Sequence, residues 1–345
     1  MLSTASSLSE AEYQSEIQRH SWRNFTVNIL DFACYSWGMS FASIVTILPL
    51  YLGHLTTSSL LIGLLPALGS VLWCLPQIFT ANYVERLPRK QPFILLISIN
   101  ERWPYLALGL SILLWPQASP VVSIVLFFLL RSIVGLGGGL GGTAWQDFIA
   151  KIIPVSRRGL FFGLCNSVGG VLGAGGAAFS VYLLNRFPFP TSFAYCFLMA
   201  FGANVLSWGF LALAKEPPRA SAKPIISQGE YFCRLPGLLR RDRNFCVYLL
   251  SRIVMVLGGM ASGFMTVYAV QRFQAPDRTV GWFTTVLLAS QAVSNPLLGH
   301  LGDRKGHKLV MEISACLGVM SLVMLVTASH ISSFFPLFAL YGCSS

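Results

Sequence analysis

Gly299-His300-Leu301-Gly302-Asp303-Arg304-Lys305-Gly306-His307-Lys308 is a short island of charge between two apolar runs, residues 279–300 and 308–329. An apolar run of about 20 residues matches the roughly 30 Å of hydrocarbon that an α-helix must cover to span a bilayer. Inside lipid every backbone N–H and C=O must pair within the protein, and continuous rather than alternating apolar runs select helices. Outward from this turn, the same alternation of apolar run and polar connection recurs at 27–52, 58–81, 92–115, 120–146, 159–184, 191–214 and 245–270. The expected fold is an all-α, polytopic membrane helical bundle with nine full spans and part of a tenth, which starts near Ser332.

Composition excludes an ordinary soluble surface, because 54% of the 345 residues are apolar and 11% charged, against about 25% charged in soluble domains. The net charge of +11 would suit nucleic acid if it were clustered on one binding face. It is instead spread over alternate connections. Eighteen Lys and Arg, from Arg19 and Arg23 through Arg86, Lys151 and Lys215 to Arg304 and Lys308, fall on one side, against Arg186, Arg272 and Arg278 on the other. Positive connections stay cytoplasmic, so this imbalance predicts a cytoplasmic N-terminus, a multi-pass protein of the plasma (inner) membrane, and anionic lipid as the basic partner, with no nucleic acid.

The predicted divisions are a cytoplasmic N-terminal segment 1–26, a six-helix bundle 27–214, a cytoplasmic linker 215–244 and a second, incomplete bundle 245–345. Pro217, Pro218, Pro224 and Pro236 break helix continuity in the linker. Residues 1–26 lack the apolar core of a secretory signal. Ser9-Glu10-Ala11-Glu12 fits a capping box that would begin a short surface helix, and a flexible polar tail is the alternative.

The two sides of the linker resemble each other. Arg23-Asn24-Phe25-x-Val27-x-x-Leu30 returns as Arg243-Asn244-Phe245-x-Val247-x-x-Leu250, and Gly38 and Gly258 keep that spacing. Ile62-Gly63 pairs with Val280-Gly281. Such a duplication is a common plan of secondary transporters.

Residues 299–308 resemble the loop signature of the major facilitator superfamily, G-x-L-x-D-R-x-G-x-K/R, with Gly299, Asp303, Arg304, Gly306 and Lys308 in its places. The expected duplicate, 81–90, keeps Glu85, Arg86, Arg89 and Lys90 but loses the glycines. Arg131-x-x-x-Gly135-x-Gly137 and Pro154-x-x-Arg157-Arg158-Gly159 are similar to further motifs of that family. The resemblance, covering about residues 22–330, implies two related six-helix repeats that rock about a central site. It implies that Asp303 and Arg304 form a gate at the inner face, docking near Arg158-Gly159, while a plain basic topogenic turn is the simpler reading. A full member has twelve helices, so the chain is expected to be a truncated or fragmentary product.

Ionisable groups at bilayer depth are costly unless paired or hydrated, and so are candidate functional groups. Glu101, Arg102 and Arg131 fall deep in the third and fourth spans, Asp31 is shallower, and Arg252 sits one place from the repeat equivalent of Asp31. Neighbouring helical residues point about 100° apart, so Glu101 is expected to pair with Arg131 rather than with Arg102. Pro104 frees a helical carbonyl beside this cluster, as at many transporter sites. These charges are candidates for a substrate or proton path; a static buried ion pair is the alternative.

Gly135, Gly137 and Gly139, and Gly169 and Gly173 in the fifth span, are expected to allow close helix packing. The apparent GxGxxG at 137–142 lies in a membrane helix with no preceding strand and is no dinucleotide site. Ala174 stands where the family's antiporter motif has proline. The cysteines show no CxxC spacing and the histidines are dispersed, so neither metal nor cofactor is expected. No nucleophile elbow, HExxH or P-loop occurs, which argues against an enzyme and against ATP-driven transport. The expected function is secondary transport of a small solute by alternating access, coupled to protons or another gradient, with abundant aromatics favouring efflux. The rivals are a non-transporting membrane scaffold, or inactive fragment of a transporter, and a membrane-embedded enzyme.

Overall fold

A computed structural model describes residues 10–154, 157–219, 229–230, 237, 243–259, 262–274, 276–305 and 307–344. The described chain is all-α. Its helices are α1 (Glu10–Phe41), α2 (Ile47–Leu55), α3 (Ser59–Val84), α4 (Gln91–Ser98), α5 (Trp103–Leu114), α6 (Pro120–Ile152), α7 (Arg158–Arg186) and α8 (Thr191–Ala212). Beyond the linker follow α9 (Arg243–Gly259), α10 (Ser262–Phe273), α11 (Asp277–Lys305), α12 (His307–Thr327) and α13 (Phe334–Ser344).

Every expected span coincides with one helix or with a consecutive pair. Among the described residues, five helices, α3, α6, α7, α8 and residues Lys308–Thr327 of α12, are long and apolar enough to cross a membrane. The first span is divided between α1 and α2 and the third between α4 and α5, while α9 and α10 cover the seventh on either side of residues 260–261, which lie outside the described residues. Both divisions have a proline just beyond them, Pro49 and Pro104, each removing an N–H from the ladder. The eighth span, α11, is uninterrupted but carries Ser290, Gln291, Ser294 and Asn295 at its middle.

One detail differs from expectation. From Glu10 onward the N-terminal segment is neither a separate surface helix nor a tail: α1 continues into the first span, with Tyr13 and Ile17 buried. Within the motif at 299–308, α11 runs to Lys305 and α12 starts at His307, and Gly306 lies outside the described residues.

Packing joins helices that are far apart in the chain. α1 lies against α7 and α8, α3 against α6, and α5 against α8; α11 rests on α7 and on α13. Lipid tails are as apolar as leucine, so these contacts depend on close fit more than on removal of apolar surface from water. One core joins both sides of the linker, with Phe41, Leu48, Tyr51 and Phe197 meeting Met265, Phe283 and Phe334. A smaller one, around Phe25, Phe148, Phe161 and Leu211, lies at the linker end of the first six spans.

Candidate functional site

The division of the third span creates the site. A 3-10 turn, Ile99–Glu101, separates α4 from α5, and Pro104 in the first turn of α5 cannot bond back to Asn100. Arg102, between that turn and α5, directs its side chain into the bundle and is 7% exposed. Its Nη1 donates to the Ser98 carbonyl, its Nε to the Asn204 carbonyl at 2.9 Å and its Nη2 to Ser207 Oγ at 3.5 Å. Ser207 Oγ in turn donates to Asp31 Oδ1 at 2.6 Å. A buried acid on α1 and a buried base at the α4–α5 break are thus joined through one hydroxyl of α8.

Glu101 faces a different neighbour. Tyr35 Oη donates to its Oε2 at 3.2 Å. The expected ion pair with Arg131 is absent among the described residues. Arg131 lies along α6 beside Gly69 and Gly135, with its Nε buried and unbonded. The helical register that separates Glu101 from Arg102 also turns Glu101 toward α1. A Cβ on Gly137 would come within 3.2 Å of Glu101 Cγ, so the absence of a side chain on α6 admits the carboxylate arm. Arg252 belongs to α9, and its side chain lies outside the described residues.

A cavity of about 230 Å³ opens beside this assembly, lined by Asp31, Tyr35, Trp73, Glu101, Arg102 and Gln146 among others. All of its lining residues come from the first six spans. Trp73, Trp145 and Phe32 line the same cavity beside these polar groups.

At the linker end a second assembly was missed by the sequence reading. Glu216, 7% exposed, accepts from the backbone N–H groups of Lys90 and Gln91 at 2.7 and 2.8 Å, which open α4, and pairs with Lys151 Nζ at 2.8 Å. A carboxylate there offsets the partial positive charge of a helix start. Asn24 joins the same end by exchanging hydrogen bonds of 2.8 Å with the backbone of Lys215. The signal in the sequence was Glu216 itself, an acid at the start of a basic connection.

Of the expected gate residues, Arg86, just past the end of α3, donates to Asn82 Oδ1 in its last turn at 2.8 Å, and Lys90 donates its backbone N–H to Glu216. Gly299, Arg304 and Lys308 are exposed, and Lys308 reaches Glu312 at 3.8 Å, a solvated pair of small energetic weight. The Asp303 side chain and Gly306 lie outside the described residues. Arg158, the expected docking point, donates to the carbonyls of Ala150 and Ile153 at the end of α6.

The glycines sit where helices touch. A Cβ on Gly139 would strike the Leu72 carbonyl of α3, and one on Gly169 would lie 2.8 Å from Ser36 Oγ of α1. Gly135 meets Leu72 and Gly173 meets Leu288. Among the described residues no group of three or more His, Cys, Asp or Glu could hold a metal.

Comparison with known proteins agrees with this architecture. A family model described as Major Facilitator Superfamily matches residues 101–345. The Multidrug resistance protein MdtG of Rahnella sp. (strain Y9602) is 26% identical over 310 residues, covering 84% of this chain and 68% of that one. The protein of the same name from Klebsiella pneumoniae (strain 342) is 26% identical over 321 residues, covering 88% and 71%. In fold, the chain is similar to a D-xylose-proton symporter, with a TM-score of 0.59 at 12% identity over 94% of this chain and 79% of that one. It is also similar to a bacterial homologue of the human lysosomal transporter Spinster in an inward-facing, unoccupied conformation, with a TM-score of 0.61 at 14% identity over 97% and 73%. With a family model matching well over half its length and a helical bundle of the same fold, the chain belongs to the Major Facilitator Superfamily: it is a multi-pass membrane protein and a secondary transporter, not an enzyme.

Proposed function

We propose that the protein exports a small amphipathic solute by alternating access, driven by protons entering through the Asp31–Ser207–Arg102 and Tyr35–Glu101 assembly. The observation that carries this reading is that a buried carboxylate, Asp31, a buried guanidinium, Arg102, and the half-buried Glu101 line one cavity of about 230 Å³. Charge in such a place is expensive unless its protonation or hydration changes during a cycle. Arg102 stays charged, so a proton added to Asp31 or Glu101 alters the balance of the assembly and with it the packing of α1 against α8. Aromatic walls suit an amphipathic solute, and relatives named multidrug resistance proteins support export as the direction.

The same proposal places the chain in the plasma (inner) membrane with its N-terminus and the 215–244 linker in the cytoplasm, residues 27–214 as one bundle and 245–345 as part of a second. Glu85, Arg86, Arg89, Lys90, Asp303 and Arg304 then lie at the inner face as gate elements. The basic imbalance of the connections supports this orientation.

The test is proteoliposome transport of ethidium, as an amphipathic probe, under an imposed pH gradient. Glu101→Gln and Asp31→Asn are each expected to reduce gradient-driven flux at least about tenfold, the scale of losing a group essential to coupling, while counterflow without a gradient persists. Unchanged gradient-driven flux in both variants would retire the proton path. A folded wild-type chain that moves no probe under either regime would favour the scaffold reading.

A further inference from the structure

The two sides of the linker meet through buried hydroxyls at the end of the bundle away from that linker. Thr46, Thr266 and Thr284 are all 0% exposed. Thr46 Oγ1, at the start of α2, and Thr284 Oγ1, on α11, share a hydrogen bond. Thr284 Oγ1 also donates to Val280 O at 3.1 Å, which leaves Thr46 as the donor to Thr284. Thr266 Oγ1, on α10, donates to the carbonyl of Val45 at 2.8 Å.

The last bond answers a local defect. Pro49 has no N–H, so the Val45 carbonyl four residues earlier loses the partner a continuous helix would supply. The missing donor comes from the other side of the linker. Thr46 and Thr266 are 220 residues apart, the spacing of Arg23 and Arg243, so equivalent threonines of the two repeats take part.

Small residues bring the backbones together at this end. A Cβ on Gly63 would lie 2.8 Å from the Phe264 ring, and one on Gly281 would run into Val181. These glycines are themselves the repeat pair of Ile62-Gly63 and Val280-Gly281. Toward the linker end of the same helices, nothing lies within 4 Å of a Cβ built on Gly159, Gly163 or Gly299.

We propose that Thr46, Thr266 and Thr284 form a hydroxyl latch that holds the two repeats together on the face opposite the linker and releases them when water enters there. An apolar seal would resist reopening, whereas each of these groups can exchange its partner for water at little net cost. Opening that face exposes the three hydroxyls and the Val45 carbonyl together. The latch deepens the transport reading above, since it acts as a positioning device for one of the two states of the cycle.

Hydrogen–deuterium exchange of the full chain in lipid nanodiscs tests it without reference to any solute. Thr266→Val and Thr284→Val are each expected to speed amide exchange in residues 44–56 and 262–273 roughly two- to tenfold, the range of one net hydrogen bond, and to leave 91–152 unchanged. Thr46→Val with Thr284→Val should be no faster than either alone, because both remove the same bond. Thr46→Ser and Thr266→Ser, which keep the hydroxyl, should exchange like the wild type. The proposal is overturned if Thr284→Val leaves exchange unaltered, if the double variant multiplies the single effects, or if the Ser variants match the Val variants; the Ser comparison decides even where a Val variant loosens the whole fold. Loss of transport with this exchange pattern intact would remove the transport reading and leave the latch standing, and the converse result would do the opposite.

Discussion

Ser207 is the joint of the candidate site, because its single hydroxyl accepts from Arg102 and donates to Asp31. Replacing it by alanine leaves a buried carboxylate and a guanidinium nitrogen short of a partner, a loss of about 1–3 kcal/mol for an unsatisfied buried group. Ser207→Ala is therefore expected to lower the thermal midpoint in detergent by several degrees and to weaken gradient-driven flux; an unchanged midpoint would mean that water or a rotated Arg102 takes its place. At this scale the sequence was partly legible. Asp31, Glu101 and Arg102 stood out as charges in apolar runs, but their partners, Ser207, Tyr35 and Asn204, are types that occur throughout membrane helices. The expected Glu101–Arg131 pair failed because depth along a helix says nothing of which neighbour a side chain turns toward.

Among the elements, the short α4 depends on Glu216, which neutralises its first N–H groups and Lys151 at once. The carboxylate is fully buried and Lys151 is 9% exposed, so removing one partner leaves the other charge stranded. Glu216→Ala is expected to cost about 3–5 kcal/mol, as for other broken buried pairs, seen as a large fall in thermal midpoint and faster amide exchange in residues 89–98. Replacing Lys151 in the same chain should recover part of that loss. Helix α3 and helix α6 have a comparable dependence on Gly139, where a side chain would meet the Leu72 backbone. Backbone cannot yield as a side-chain tip can, so Gly139→Val should destabilise by about 1–3 kcal/mol or more, and a thermal midpoint like that of the wild type would show that α3 shifts freely. The glycine-rich runs were legible as packing surfaces; which helix each one touches was not.

For the whole molecule, the repeat read from Gly63 and Gly281 marks a place where the two sides of the linker approach closely. Gly63→Leu should wedge Phe264 away and favour the state open on the face opposite the linker, measured as faster exchange in residues 59–66 and 262–273 with α4–α6 unaffected; equal rates would place the contact outside the moving seam. The sequence by itself determined that the chain is helical and membrane-spanning, how its spans are bounded, which connections carry the basic charge, and which family it resembles. All of these are written in runs and spacings along the chain, where apolar length and charge act locally. Only the tertiary structure decided that Asp31 reaches Ser207 across 176 residues of chain, that Glu216 caps α4, and that Thr46 meets Thr284 across 238. Those contacts depend on the rotation and register of whole helices against one another, which the sum of many small packing contacts sets and no local pattern encodes.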